Sequence, residues 1–82
     1  MNRDYVLWHL REAAEELNRV IQDMTADPEY VRGELEVGIT HLYHHLNTAW
    51  NARDSSAEQV MVGSADDFRA WRQFPSDLLG IK

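Results

Sequence analysis

Histidines are the side chains of this sequence best suited to chemistry. Three of the four lie in one run, HLYHHLNTAWNARD, at residues 41–54. On a helix, His41 and His45 are four residues apart, so both project from one face and could bind the same metal ion. His9 and Glu34 are the candidates to complete such a site. Imidazole nitrogens with a carboxylate oxygen suit a divalent transition metal such as zinc.

The same histidines can be interpreted instead as interface residues without catalytic chemistry. Neutral imidazole is buried at lower cost than a charged side chain, and it still forms hydrogen bonds. Residues 37–52 contain no Asp, Glu, Lys or Arg. Because an uncharged helix is usually covered on more than one side, we expect this flank to contact a partner. The predicted interface residues are Val37, His41, His45 and Thr48.

Composition excludes several classes of function. The formal net charge is −6, and the eight Lys and Arg residues are scattered, which disfavours nucleic-acid binding. The only lysine, Lys82, provides no basic membrane anchor, and no apolar run is long enough to span a membrane. No glycine-rich phosphate loop or nucleophile-elbow serine is present, so no catalytic residue is assigned. The absence of cysteine fits a cytoplasmic protein.

Two long helices must position these histidines. The first is predicted over residues 4–25, because apolar residues recur at alternating spacings of three and four. That stripe is Leu7, Leu10, Ala14, Leu17, Ile21 and Met24, widened on one side by Val6, Ala13 and Val20. The second helix is predicted over residues 28–51, with Asp27 as its cap and Pro28 at its first position. Its main stripe is Val31, Leu35, Gly38, Leu42, Leu46 and Ala49.

We expect the two stripes to pack together in an antiparallel hairpin, with Gly38 permitting close approach. Residues 52–63 are predicted to form a loop. A short third helix follows over residues 65–74, capped by Ser64, and the tail at residues 75–82 should dock on the body. The predicted docking residues of the tail are Leu78, Leu79 and Ile81. An aromatic cluster is expected at the open end of the hairpin, from Trp8, Trp50, Phe68 and Trp71.

The sequence therefore predicts a single all-α domain over residues 1–82: a long antiparallel helical hairpin, a short third helix and a docked tail. Two copies are expected to pair into a dimeric assembly like a four-helix bundle. The favoured function is an interaction or oligomerisation module, or a small regulator, without a cofactor and without enzymatic activity. Its partners would be a second copy or another protein, rather than nucleic acid or a membrane. The alternative is a metal-binding protein, or a metal-dependent enzyme, built on His41 and His45.

Overall fold

The structure, a computed structural model, describes residues 1–78. It contains four helices: α1 (Arg3–Ala26), α2 (Arg32–Asn51), α3 (Ala57–Val62) and α4 (Ala65–Trp71). No strand occurs in these 78 residues, and α1 and α2 form a long pair. The all-helical class and the long helix pair are therefore confirmed. Across the same residues, no helix combines the length and the apolarity that crossing a membrane requires.

The turn between the long helices differs from the prediction. Asp27 does not cap α2, because its carboxylate accepts a hydrogen bond from the Glu29 backbone and its carbonyl accepts one from Tyr30. These two bonds close a turn that contains Pro28. The helix begins only at Arg32, after Val31, which makes no side-chain cap bond. The prediction that α2 starts at Pro28 is wrong, because Asp27 stabilises the turn and not the helix.

The contact between α1 and α2 passes through small residues. On α1 the buried residues are His9, Ala13 and Val20. Opposite them, a methyl group added to Gly38 would lie 2.5 Å from Cγ2 of Val20, which is closer than carbon atoms approach in proteins. Gly38 therefore permits the close approach that its position in the sequence predicted. Ala49 is also buried on the same side of α2.

The large residues of the predicted α1 stripe are not the most buried part of α1. The predicted stripe lies about a quarter turn from the buried stripe on the helix circumference. Its large residues and two from α2 form one apolar surface, here called the leucine face, with side chains between 37% and 53% exposed. These residues are Leu7, Leu10, Leu17, Ile21, Met24, Tyr43 and Leu46. The contact is centred instead on the side where Ala13 and Val20 were predicted to widen the stripe, because these smaller side chains let the backbones approach more closely.

The C-terminal third contains two short helices where one was predicted. Within the predicted loop, Ser56 and Gln59 form a capping box that starts α3, and Gly63 ends it with φ 59°. Ser64 caps α4 as expected, by accepting a hydrogen bond from the Asp67 backbone. This helix ends at Trp71, three residues before the predicted end at residue 74.

Of the three tail residues predicted to dock, only Leu78 lies within the described part of the chain. Leu78 is partly buried and lines an apolar groove with Leu10 and Leu46. The predictions for Leu79 and Ile81 fall outside the described residues.

Candidate functional site: a cleft lined by four histidines

A cleft of about 300 Å³ lies between α1, α2 and α4. All four histidines of the chain line it, together with Tyr5, Thr48, Phe68 and Arg72. We refer to this side of the hairpin as the histidine face. It is distinct from the leucine face, because no residue of the leucine face lines this cleft. No carboxylate lines the cleft.

His9 and His45 are the closest pair in the cleft. Their Nδ1 atoms are 3.0 Å apart, a hydrogen-bond distance, so one ring donates and the other accepts. Only one of the two Nδ1 atoms therefore carries a hydrogen. Tyr5 and Trp8 hold the His9 ring in place through edge contacts, with ring centroids 4.6 and 4.9 Å away.

Burial and the proximity of His45 lower the pKa of His9 to about 4. The His9 residue is only 8% exposed, and a charged imidazole is costly to desolvate. His9 is therefore neutral at pH 7. Its second nitrogen, Nε2, is also buried and has no hydrogen-bond partner among residues 1–78.

His41 lies apart from this pair. Its Nδ1 is 3.8 Å from a carboxylate oxygen of Glu16, and its side chain is exposed. Together with Glu34 and Glu16, His41 lines a second cavity, which His9 and His45 do not reach. His41 and His45 share a helical face, but different residues of α1 lie opposite them: Glu16 near His41 and, about two turns away, His9 near His45.

The structure therefore does not bring His41, His45, His9 and Glu34 together as one set of metal ligands. In the described part of the chain, no group of three or more His, Asp or Glu residues is arranged to hold a metal ion. Of the four residues predicted for the site, only His9 and His45 are in direct contact.

His44 is a cleft residue that was not predicted from the sequence. Burial lowers its pKa, and the positive charge of Arg72 lowers it further. The signal that could have found it is a polar stripe with helical spacing on α2, formed by His44, Asn47, Thr48 and Asn51. The structure shows what this stripe contacts: α4 packs on it.

Side chains of α2 hold the C-terminal end of α4. The Asn51 amide donates to the carbonyls of Trp71 and Gln73, at 2.9 and 2.7 Å. Asn47 donates to the carbonyl of Arg72 at 2.9 Å. The last carbonyls of a helix have no partner within the helix, so these amides supply what α4 lacks. The chain itself thus covers part of the uncharged flank of α2.

The four residues predicted as a partner interface are in different environments. Thr48 is buried, and its hydroxyl is 3.5 Å from the carbonyl of Trp71. His45 contacts His9 within the chain. Val37 and His41 are exposed. Whether these two contact a partner remains a prediction.

The four aromatic residues predicted as a cluster occupy three places. Phe68 and Trp71 contact each other, with ring centroids 5.9 Å apart, and Trp71 also contacts Tyr5 at 6.1 Å. Trp8 lies beside the histidine pair and is about half exposed. Trp50 lines the apolar groove on the other side of the hairpin. Only Phe68 and Trp71 are adjacent to each other.

No protein-family model matches this chain, and no curated protein or solved structure matches it either. The function is therefore inferred from the geometry of the histidine face and the leucine face. One face is a polar cleft partly closed by α4. The other is an apolar surface formed by both long helices.

Proposed function

We propose that this protein is an interaction module that forms a homodimer through its leucine face, and that it acts as a small regulator or adaptor and not as an enzyme. The observation that carries the proposal is the leucine face itself. Both long helices contribute large apolar side chains to it, and these remain between 37% and 53% exposed in the single chain. Contiguous apolar surface of this kind marks interaction sites in soluble proteins.

The apolar core within one chain is small. The buried hydrophobic residues in the described part of the chain are Ala13, Val20, Ala49, Ala52 and Trp71. Three of these are alanines, which remove little apolar surface from water. A domain of this size is usually stabilised by disulfides, a metal or a partner, and this sequence has no cysteine. A partner on the leucine face would supply the missing core.

The accessible surface of the chain is also large for its mass. It measures 6159 Å². A compact protein of 9.6 kDa is expected to expose about 5,100 Å². The excess of about 1,000 Å² is similar to the roughly 800 Å² that each partner buries in a protein interface of standard size. The chain therefore exposes enough surface beyond the expected value for one interface of ordinary dimensions.

A second copy is the partner that this surface fits best. In an antiparallel hairpin, the apolar stripes of α1 and α2 point to the same side. Two such hairpins related by a two-fold axis form a four-helix bundle. The α1 stripe contains no charged residue between Leu7 and Met24. Two identical copies therefore do not place like charges against each other along this stripe.

The test is a matched pair of charge insertions, Leu17→Glu on the leucine face and Val37→Glu on the exposed flank of α2. Leu17→Glu should shift the sedimentation mass at micromolar concentration from dimer toward monomer, while Val37→Glu should leave it dimeric. The melting temperature of the unmodified protein should also rise with concentration, because association stabilises the folded chain. A monomeric wild type would contradict dimerisation. Loss of the dimer only in Val37→Glu would place the interface on the flank instead.

A further inference from the structure

The distance between the Nδ1 atoms of His9 and His45 matches the distance between two neighbouring nitrogen ligands of one metal ion. Imidazole nitrogens bind first-row metals at about 2.0–2.1 Å. Two nitrogens 3.0 Å apart would then subtend an angle of about 95° at the metal. Square-planar and octahedral ions place neighbouring ligands at 90°, whereas a tetrahedral ion would require a separation of about 3.4 Å.

We infer that His9 and His45 form a two-nitrogen site for a tetragonal divalent ion, Cu²⁺ or Ni²⁺, with solvent in the remaining positions. The pair differs from the one suggested by sequence spacing, because it joins the two long helices and does not use His41. Each ring would have to turn so that its Nδ1 lone pair points to the ion and not to the other ring, which for His9 changes its edge contacts with Tyr5 and Trp8. With His45 as the donor of the Nδ1···Nδ1 hydrogen bond, His9 already carries its hydrogen on the buried Nε2, and only the more exposed His45 ring would exchange its Nδ1 proton for one on Nε2 through water.

The surroundings of the pair suit a metal that prefers nitrogen ligands. No carboxylate lines the cleft, so Mg²⁺ and Ca²⁺, which prefer oxygen ligands, would find none there. Metal-bound histidines usually donate their other N–H to an acceptor, and His9 Nε2 has none among residues 1–78. We therefore expect moderate affinity.

Metal binding at this pair would stabilise the fold. One ligand lies on α1 and the other on α2, so the ion would bind the assembled hairpin and not the unfolded chain. The site is on the histidine face, so it is independent of the dimer proposed above. The test of metal binding and the test of dimerisation can therefore give different outcomes for this protein.

The experiment measures the melting temperature of the full-length protein, purified without a histidine tag, with and without Ni²⁺ at pH 7.5. Mg²⁺ serves as the metal control. We expect Ni²⁺ to raise the melting temperature by several degrees and Mg²⁺ to leave it unchanged. His45→Gln should abolish the rise, and the matched variant His41→Gln should retain it. A rise that is lost in His41→Gln, or no rise in the wild type, would overturn the inference.

A second measurement does not depend on the variants folding. Cu²⁺ added to the wild type at a one-to-one ratio should give an electron paramagnetic resonance spectrum of a tetragonal site. Electron spin-echo modulation should show coupling to two imidazole nitrogens. Coupling to a single imidazole, or to none, would overturn the inference even if the melting temperature changes.

Discussion

The two faces of the helical hairpin are covered in different ways. On the histidine face, the polar stripe of α2 is met by α4 of the same chain through hydrogen bonds to backbone carbonyls. On the leucine face, large apolar side chains of both long helices remain exposed. Polar groups need partners at fixed positions, which a short helix of the same chain can supply. Apolar surface imposes no such geometry, so it suits a separate molecule.

Acidification should affect the histidine face most strongly. The folded pKa of His9 is about 4 and the unfolded value is 6.5, so the folded chain binds fewer protons between these pH values. Stability should be constant above pH 6.5 and fall by up to about 3 kcal/mol between pH 6.5 and 4. His44, whose pKa is also lowered, contributes in the same direction. Urea denaturation at a series of pH values would measure this slope.

The control for the acid effect is His9→Gln, which keeps a polar side chain but cannot be protonated. This variant should lose most of the dependence on pH, although its stability at pH 7 also changes. Equal slopes in the wild type and the variant would show that other groups cause the acid sensitivity. His45, Tyr5 and Trp8 are the rings that contact His9.

Replacing Asn51 tests whether hydrogen bonds hold α4 on the histidine face. Asn51→Ala removes two bonds, to the carbonyls of Trp71 and Gln73, and should destabilise the protein by about 1–3 kcal/mol. Because Trp71 is the buried tryptophan, its emission should also shift to longer wavelength as α4 is released. Asn18→Ala, an exposed site on α1, is the control and should change neither quantity appreciably. If both variants behave alike, side-chain packing and not hydrogen bonding holds α4.

The sequence predicted the helices well but not which of their faces meet. Periodic spacing identified α1 and α2, and Gly38 correctly indicated a close approach. On α1, however, two adjacent stripes have helical spacing, one of large residues and one through His9, Ala13 and Val20. The choice between them depends on the residues opposite, on α2. Local periodicity does not contain that information.

The same limit applies to the candidate site. His9 was predicted to complete a site with His45, and the structure shows these two rings in contact. The neighbours of His41 and His44 depend on long-range packing. Glu16 on α1 approaches His41, and Arg72, just beyond α4, lowers the pKa of His44. The position of α4 follows from the amides of α2, which sequence spacing alone does not reveal as a docking surface.

The smallest expected effects come from replacing Gly38 and Gly33 of α2. Gly38 lies at the α1–α2 contact that separates the histidine face from the leucine face, so its replacement tests that division. Gly38→Ala places a methyl group 2.5 Å from Val20, so the helices must separate. We expect destabilisation of about 1–2 kcal/mol, because the overpacking outweighs the roughly 1 kcal/mol by which alanine favours a helix over glycine. Gly33→Ala meets nothing within 4 Å and should stabilise the protein by up to about 1 kcal/mol. Thermal unfolding of both variants would measure the difference. Stabilisation by Gly38→Ala would mean that α1 and α2 lie farther apart than the structure places them, and the division of the hairpin into two faces would then need revision.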